Sequence, residues 1–167
     1  MVAFGIEKDT LSIALGIRDK IGPKEITTLP SGARNDTARA TISLCMIVKN
    51  EEKNIRQALS SIKNVSEIIV VDAYSTDKTI DICREYTEKI YQIEWLGFAR
   101  QKQKAIELAG SPWVFILDSD ERFTDSLWTE IEEILNGNTP CNGYFVPRKN
   151  FFLGKWIRHG GWWPDYT

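Results

Sequence analysis

Residues Trp113–Glu121 read WVFILDSDE, an apolar run of β-branched and aromatic side chains that ends in three carboxylates within four positions. Such a run, Trp113 to Leu117, suits a strand buried on both faces, the pattern of a central parallel strand covered by helices. The acids then fall at the carboxyl end of the strand, which lines the ligand crevice in open α/β sheets. Side chains two apart in extended backbone point the same way, so Asp118 and Asp120 can converge on one charge. A hard cation such as Mg²⁺ or Mn²⁺ answers that need, because it accepts carboxylate oxygens and takes its other ligands from water and phosphate. The competing reading is a solvated turn whose acids complement the positive end of the next helix.

Two segments upstream repeat the design. Ile42–Val48 (ISLCMIV) stops at Lys49-Asn50-Glu51-Glu52, and Glu67–Val71 (EIIVV) stops at Asp72. An amphipathic helix is expected after the first, with Ile55, Ala58, Leu59 and Ile62 on one face and Glu51 and Glu52 near its positive end. After the second, Ser75, Thr76 and Asp77 are good helix starters for a helix burying Ile80, Cys83 and either Tyr86 or Thr87. Lys89–Ile93 reads as a short strand. Residues 97–109 form a weaker helical pattern, interrupted by Lys102, Gln103 and Lys104. Past the DSDE acids, Asp125–Leu135 is helical, with Leu127, Trp128, Ile131, Ile134 and Leu135 as its stripe and Gly137 as its stop.

Strands and helices therefore alternate, which predicts an α/β fold: a mainly parallel sheet with right-handed crossovers and helices on its faces. No glycine-rich phosphate loop follows the first strand, which argues against ordinary dinucleotide dehydrogenases and P-loop NTPases. Residues 1–40 read as a poorly determined leader, in which Leu11–Ile17 suits a short helix or a strand and Gly22-Pro23, Pro30-Ser31-Gly32 and Asn35-Asp36 mark loops. Residues 41–167 then make one domain, as a chain of 167 residues allows.

With 21 basic and 23 acidic residues, the net charge of −2 gives no electrostatic footprint for nucleic acid. Cys45, Cys83 and Cys141 are odd in number and widely spaced, so they read as reduced thiols of a cytoplasmic protein, with zinc disfavoured. No apolar run is long enough for a membrane span, and no secretory signal is visible. Loose association with a membrane surface stays open.

The segments ISLCMIVKNEEKNI, IIVVDAYSTDKT and WVFILDSDE together resemble the first strand, the second strand and the Asp-X-Asp motif of family 2 glycosyltransferases, which have the GT-A fold. EWLGFARQKQKA at Glu94–Ala105 and NFFLGKWIRHGGWWPD at Asn150–Asp165 resemble the bacterial branch that includes lipopolysaccharide and lipooligosaccharide core β-1,4-glucosyltransferases. The likeness runs from Thr41 to the last residue. It implies an inverting transfer of a hexose, glucose by this branch, from a UDP-sugar to a glycan or glycolipid acceptor, in the cytoplasm or at the inner face of the membrane. By residue, it implies that Asp72 contacts uracil, that Glu51 helps at the uridine end, that Asp118 meets the ribose or the sugar, and that Asp120 holds the Mg²⁺ or Mn²⁺ bridging the diphosphate. Lys102 and Gln103 are donor-facing candidates, with a solvated helix face as the alternative. Asp165 is the late acid available as general base. His159, Trp162 and Trp163 are acceptor-binding candidates, with core packing as the alternative for the indoles. The chain stops at Thr167, where relatives are expected to continue, so a nucleotide-sugar-binding fragment without catalysis is the rival reading. A nucleotidyltransferase ranks behind it, for want of a triphosphate loop.

Overall fold

A computed structural model describes residues 6–7, 41–137, 143–160, 162 and 165–166. In chain order the elements are β1 (Ile6–Glu7), β2 (Ile42–Val48), α1 (Ile55–Ser60), β3 (Glu67–Asp72), α2 (Thr79–Arg84), β4 (Ile90–Gln92), α3 (Phe98–Leu108), β5 (Trp113–Ile116), β6 (Glu121–Arg122), α4 (Asp125–Asn136), β7 (Pro147–Phe152), β8 (Lys155–Trp156) and β9 (Asp165–Tyr166).

The apolar runs form one parallel sheet in the order β4-β3-β2-β5. β2 is buried along its whole length, as a strand flanked on both sides and covered on both faces must be. One face packs Leu44, Met46, Val48, Val70 and Phe115 against Ile55 and Leu59 of α1, Ile82 and Cys83 of α2, and Leu127, Trp128 and Ile131 of α4. The other face packs Cys45, Ile47, Ile69, Val71 and Val114 against Ala105 of α3 and Ala109. Three layers result. The buried residues of α3 are Gln101 and Ala105, with Ile106 and Leu108 packed beside them on this face.

Helices α1 and α2 are shorter than their apolar spacing suggests. Ile62 falls beyond α1 and Tyr86 beyond α2, yet both still pack on the core. α4 is capped by the Thr124 side chain, which accepts from the Leu127 amide at 3.3 Å, and ends at Gly137 in extended backbone. The DSDE acids thus do not cap α4, since β6 intervenes.

A second sheet, of five mostly two-residue strands, was not legible in the sequence. β1 runs parallel to β6 and antiparallel to β7, which also pairs with β8 and β9. Part of the expected leader therefore lies in this sheet. Leu11–Ile17, Cys141 and Trp163 lie outside the described residues. No helix among the described residues is long and apolar enough to cross a membrane.

Glu67, at the amino end of β3, ties three segments together. It accepts from the Ser43 hydroxyl on β2, from Lys89 ahead of β4, and from the Gly110 amide ahead of β5 at 2.5 Å. Burial alone would raise its carboxyl, but these hydrogen bonds from Lys89, Ser43 and Gly110 outweigh it and bring it down to about 2. At the same place the Ser43 hydroxyl accepts the Ser111 amide at 3.0 Å.

Candidate functional site

Parallel register brings the acidic strand ends to one edge. Val48 pairs with Asp72, and Cys45 pairs with Ile116, two residues before Asp118. A cavity of about 480 Å³ opens at this edge, lined by Ile47, Val48, Lys49 and Glu51 after β2, by Asp118, Ser119 and Asp120 after β5, and by Trp95 and Phe98.

The turn after β5 is held by Glu121. Its carboxylate accepts the Asp118 amide at 3.1 Å, and its own amide donates to the Asp118 carbonyl at 3.0 Å. Asp118 has a counter-charge, because Lys102 reaches across from α3 to 2.7 Å. Asp120 has no ion-pair partner among the described residues. Burial, then the neighbouring charge of Glu121, and after it those of Asp118 and Glu51, push its carboxyl above the ordinary range, against a lowering hydrogen bond from its own amide. A half-buried carboxylate crowded by three others is what an added cation would relieve. The donors are all oxygens, which suits Mg²⁺ or Mn²⁺. No group of three or more His, Cys, Asp or Glu side chains placed to hold a metal occurs among the described residues, so an ion here would keep water or phosphate ligands, as Mg²⁺ commonly does. The residues present fit such an ion.

Glu51 lines the cavity, and its carboxylate accepts from Asn54 at 2.9 Å. Its loop is interlocked with the loop after β3. Asn50 donates its amide to Ser75 at 2.8 Å and accepts the Thr76 amide at 2.8 Å. The Glu51 amide donates to Thr79 at 2.7 Å, the Glu52 amide to Asp77 at 3.2 Å, and the Lys78 amide to Glu52 at 3.2 Å. Asn50 and Tyr74 both take left-handed backbone, at φ 55 and 56.

Asp72 is fully buried and is absent from the cavity lining. It accepts the Ser75 amide at 3.0 Å, the Ser75 hydroxyl at 2.5 Å and Gln92 at 3.1 Å. Gln103 is exposed on α3, while Lys102, one residue earlier, faces Asp118. His159 and Trp162 are exposed and do not line the cavity. Trp156 receives Arg158 over its ring at 4.0 Å. Asp165 sits in β9 opposite Arg148 of β7, in contact with Arg148 and Asn150.

Trp95 and Phe98 were not foreseen as cavity residues. They meet edge to face with ring centroids 4.9 Å apart and are 43% and 72% exposed. Gly97 at φ 90 makes the bend between them, and Gln101 steadies the bend, accepting the Leu96 amide at 3.3 Å and donating to the Ile93 carbonyl at 3.4 Å. The signal was available: two large aromatics flanking a glycine ahead of an otherwise polar helix.

The family model described as "Glycosyl transferase family 2" matches residues 43–166. The chain belongs to this family. It is 32% identical over 118 residues to the lipopolysaccharide core biosynthesis glycosyltransferase LpsC of Rhizobium meliloti, a match covering 68% of this chain and 44% of that protein. It is 42% identical over 94 residues to an uncharacterized glycosyltransferase of Rickettsia typhi, covering 56% of this chain and 32% of the relative. The chain thus spans less than half the length of these relatives. Among solved structures, glucosyl-3-phosphoglycerate synthase from Mycobacterium tuberculosis in complex with UDP superposes with a TM-score of 0.50 at 23% identity, over 60% of this chain and 42% of that one. The fold is the GT-A arrangement.

Proposed function

We propose that this family member moves a hexose, glucose by the branch it resembles, from a UDP-sugar to a hydroxyl of a lipopolysaccharide-type glycan, with Mg²⁺ or Mn²⁺ bound. The observation that carries the reading is the pair of carboxylates at the end of β5, one neutralised by Lys102 and the other left in excess at the mouth of a cavity. The relative's role in lipopolysaccharide core biosynthesis and the UDP held by the synthase of like fold support the acceptor and donor classes. An acceptor of that kind would place the work at the cytoplasmic face of the membrane.

In this reading the acceptor oxygen bonds to the anomeric carbon from the side opposite UDP, the carbon–oxygen bond to UDP breaks, the configuration inverts and the hydroxyl proton is released. A bound divalent ion would stabilise the charge gathering on the leaving diphosphate. Asp120 would hold that ion, and Asp118, oriented by Lys102, would face the ribose or sugar. Glu51 lies toward the uridine end. Asp72 acts there through the loop it braces, by way of Ser75 and Gln92. Trp95 offers an apolar face against which a sugar or base ring can lie.

Calorimetric titration with UDP tests the reading. Without metal, Asp118 and Asp120 repel the diphosphate; with Mn²⁺, affinity should rise by about tenfold or more. Equal affinity in both conditions would sink the metal-bridged site.

A further inference from the structure

Glu121, Arg148 and Asp165 lie outside the cavity lining yet form a continuous polar chain that ends at its acidic turn. Glu121 is 2% exposed and closes the turn from Asp118 to Glu121 by the two hydrogen bonds it makes with the Asp118 backbone. Its second carboxylate oxygen accepts from Arg148 Nη1 at 3.5 Å. Arg148 then turns to β9: Nη2 donates to Asp165 Oδ1 at 3.3 Å, and Nε makes an ion-pair contact with Oδ2 at 3.1 Å. Asn150 adds a hydrogen bond to Oδ2 at 3.1 Å. The strand register sets Arg148 directly opposite Asp165.

The chemistry of each member fits a mechanical role. A carboxylate as buried as Glu121 is costly unless a cation compensates it, and Arg148 supplies one. A guanidinium has five N–H donors in a rigid plane, so it can bridge two carboxylates on different strands, whereas a lysine ammonium holds such a fork poorly. Both oxygens of Asp165 already accept from Arg148 and Asn150, and Asp165 is absent from the cavity lining, which suits a strut better than a base.

We propose that Glu121, Arg148 and Asp165 are positioning residues, a relay that fixes the turn carrying Asp118 and Asp120 to the second sheet, so that docking of β9 sets the geometry of the donor-side carboxylates. The relay stands on these contacts; only its effect on ligand rests on the UDP-sugar reading above.

Native-state amide exchange by NMR tests the relay without any ligand. In Arg148→Met and in Asp165→Asn, the Asp118 amide should exchange about tenfold faster than in the unaltered protein, the scale of one net hydrogen bond lost, while the amides of Met46 and Val70 in the main sheet keep their protection. Arg148→Lys should fall between. In parallel titrations with Mn²⁺ present, Arg148→Met should weaken UDP about tenfold and uridine by less, because uridine lacks the diphosphate that would meet an ion at Asp120. Unchanged Asp118 exchange in Arg148→Met and Asp165→Asn would overturn the relay, and so would equal acceleration of Asp118, Met46 and Val70, which would mark a general loss of structure. Should Arg148→Met not fold, Arg148→Lys and Asp165→Asn decide by the same amide. Failure of the unaltered protein to bind UDP would overturn the functional reading instead, and the exchange result would still stand for or against the relay.

Discussion

Replacing Glu67 with glutamine removes one charge at the end of the sheet away from the cavity while keeping the side chain's shape and one acceptor oxygen. A carboxyl brought from 4.5 to about 2 by folding favours the folded state at neutral pH by about 3 kcal/mol, at about 1.4 kcal/mol for each tenfold in proton affinity. Lys89 contributes part of this from a side chain that is 53% exposed, so solvent screening reduces its share. The donor from Ser43 is fully buried, and a loss of about 2 kcal/mol is expected for Glu67→Gln at pH 7. The sign with pH follows from the lowered value. The contribution is complete above the unfolded pKa near 4.5 and disappears as pH falls from there to about 2, because the proton then binds both states alike. Urea unfolding followed by tryptophan fluorescence at pH 7, 5 and 3 measures it. The gap between the two proteins should be full at pH 7, largely kept at pH 5 and clearly smaller at pH 3. A gap that is absent at pH 7, or equal at all three, would refute the assignment of this stability to the carboxylate charge.

Asp120→Asn should abolish the Mn²⁺-dependent part of UDP binding and at the same time stabilise the metal-free protein by about 1 kcal/mol, or about 2–4 °C in Tm for a chain of this size, since the folded state no longer crowds a fourth carboxylate; thermal unfolding in EDTA checks the second half. Lys102→Met leaves Asp118 without its counter-charge, so Mn²⁺ alone should bind a few-fold tighter and metal-free UDP more weakly, read by the free-Mn²⁺ EPR signal and by calorimetry. Cys45 and Cys83 are free and buried; burial, aided by the Glu67 charge for the first and the Asp72 charge for the second, pushes both thiols up to about 12, so neither should react with iodoacetamide at pH 8 until urea unfolds the protein, as peptide mass mapping would show.

What the sequence made legible was whatever depends on a run of several residues. The strands ending at Val48, Asp72 and Ile116 follow from continuous apolar runs, and helix α4, with its buried Leu127 and Ile131, from a periodic apolar stripe. The pairings of the second sheet rest on strands of two to six residues, and Ile6–Glu7 meets β6 across more than a hundred positions of chain, which no local pattern encodes. The acids at the sheet edge were visible as types but not as surroundings. Asp72 ends β3 and Asp118 follows β5 by two residues, yet one is sealed beneath its loop by Ser75 and Gln92 while the other faces Lys102 at the cavity. That difference comes from backbone turns at Asn50 and Tyr74 and from the reach of α3. Trp95 and Phe98 carry no periodicity that places them at the cavity; only their type beside Gly97 marks them.

The hydrogen bonds joining the loop after β2 to the loop after β3 bear on how this edge can change. Asn50, Glu51 and Glu52 on one loop each have partners among Ser75, Thr76, Asp77, Lys78 and Thr79 on the other. Lengthening or replacing either loop alone would strand polar groups on its neighbour, so a change at this edge should come as paired substitutions, one exchangeable cassette. A graft of residues 49–54 from a relative should therefore carry residues 73–79 from the same source.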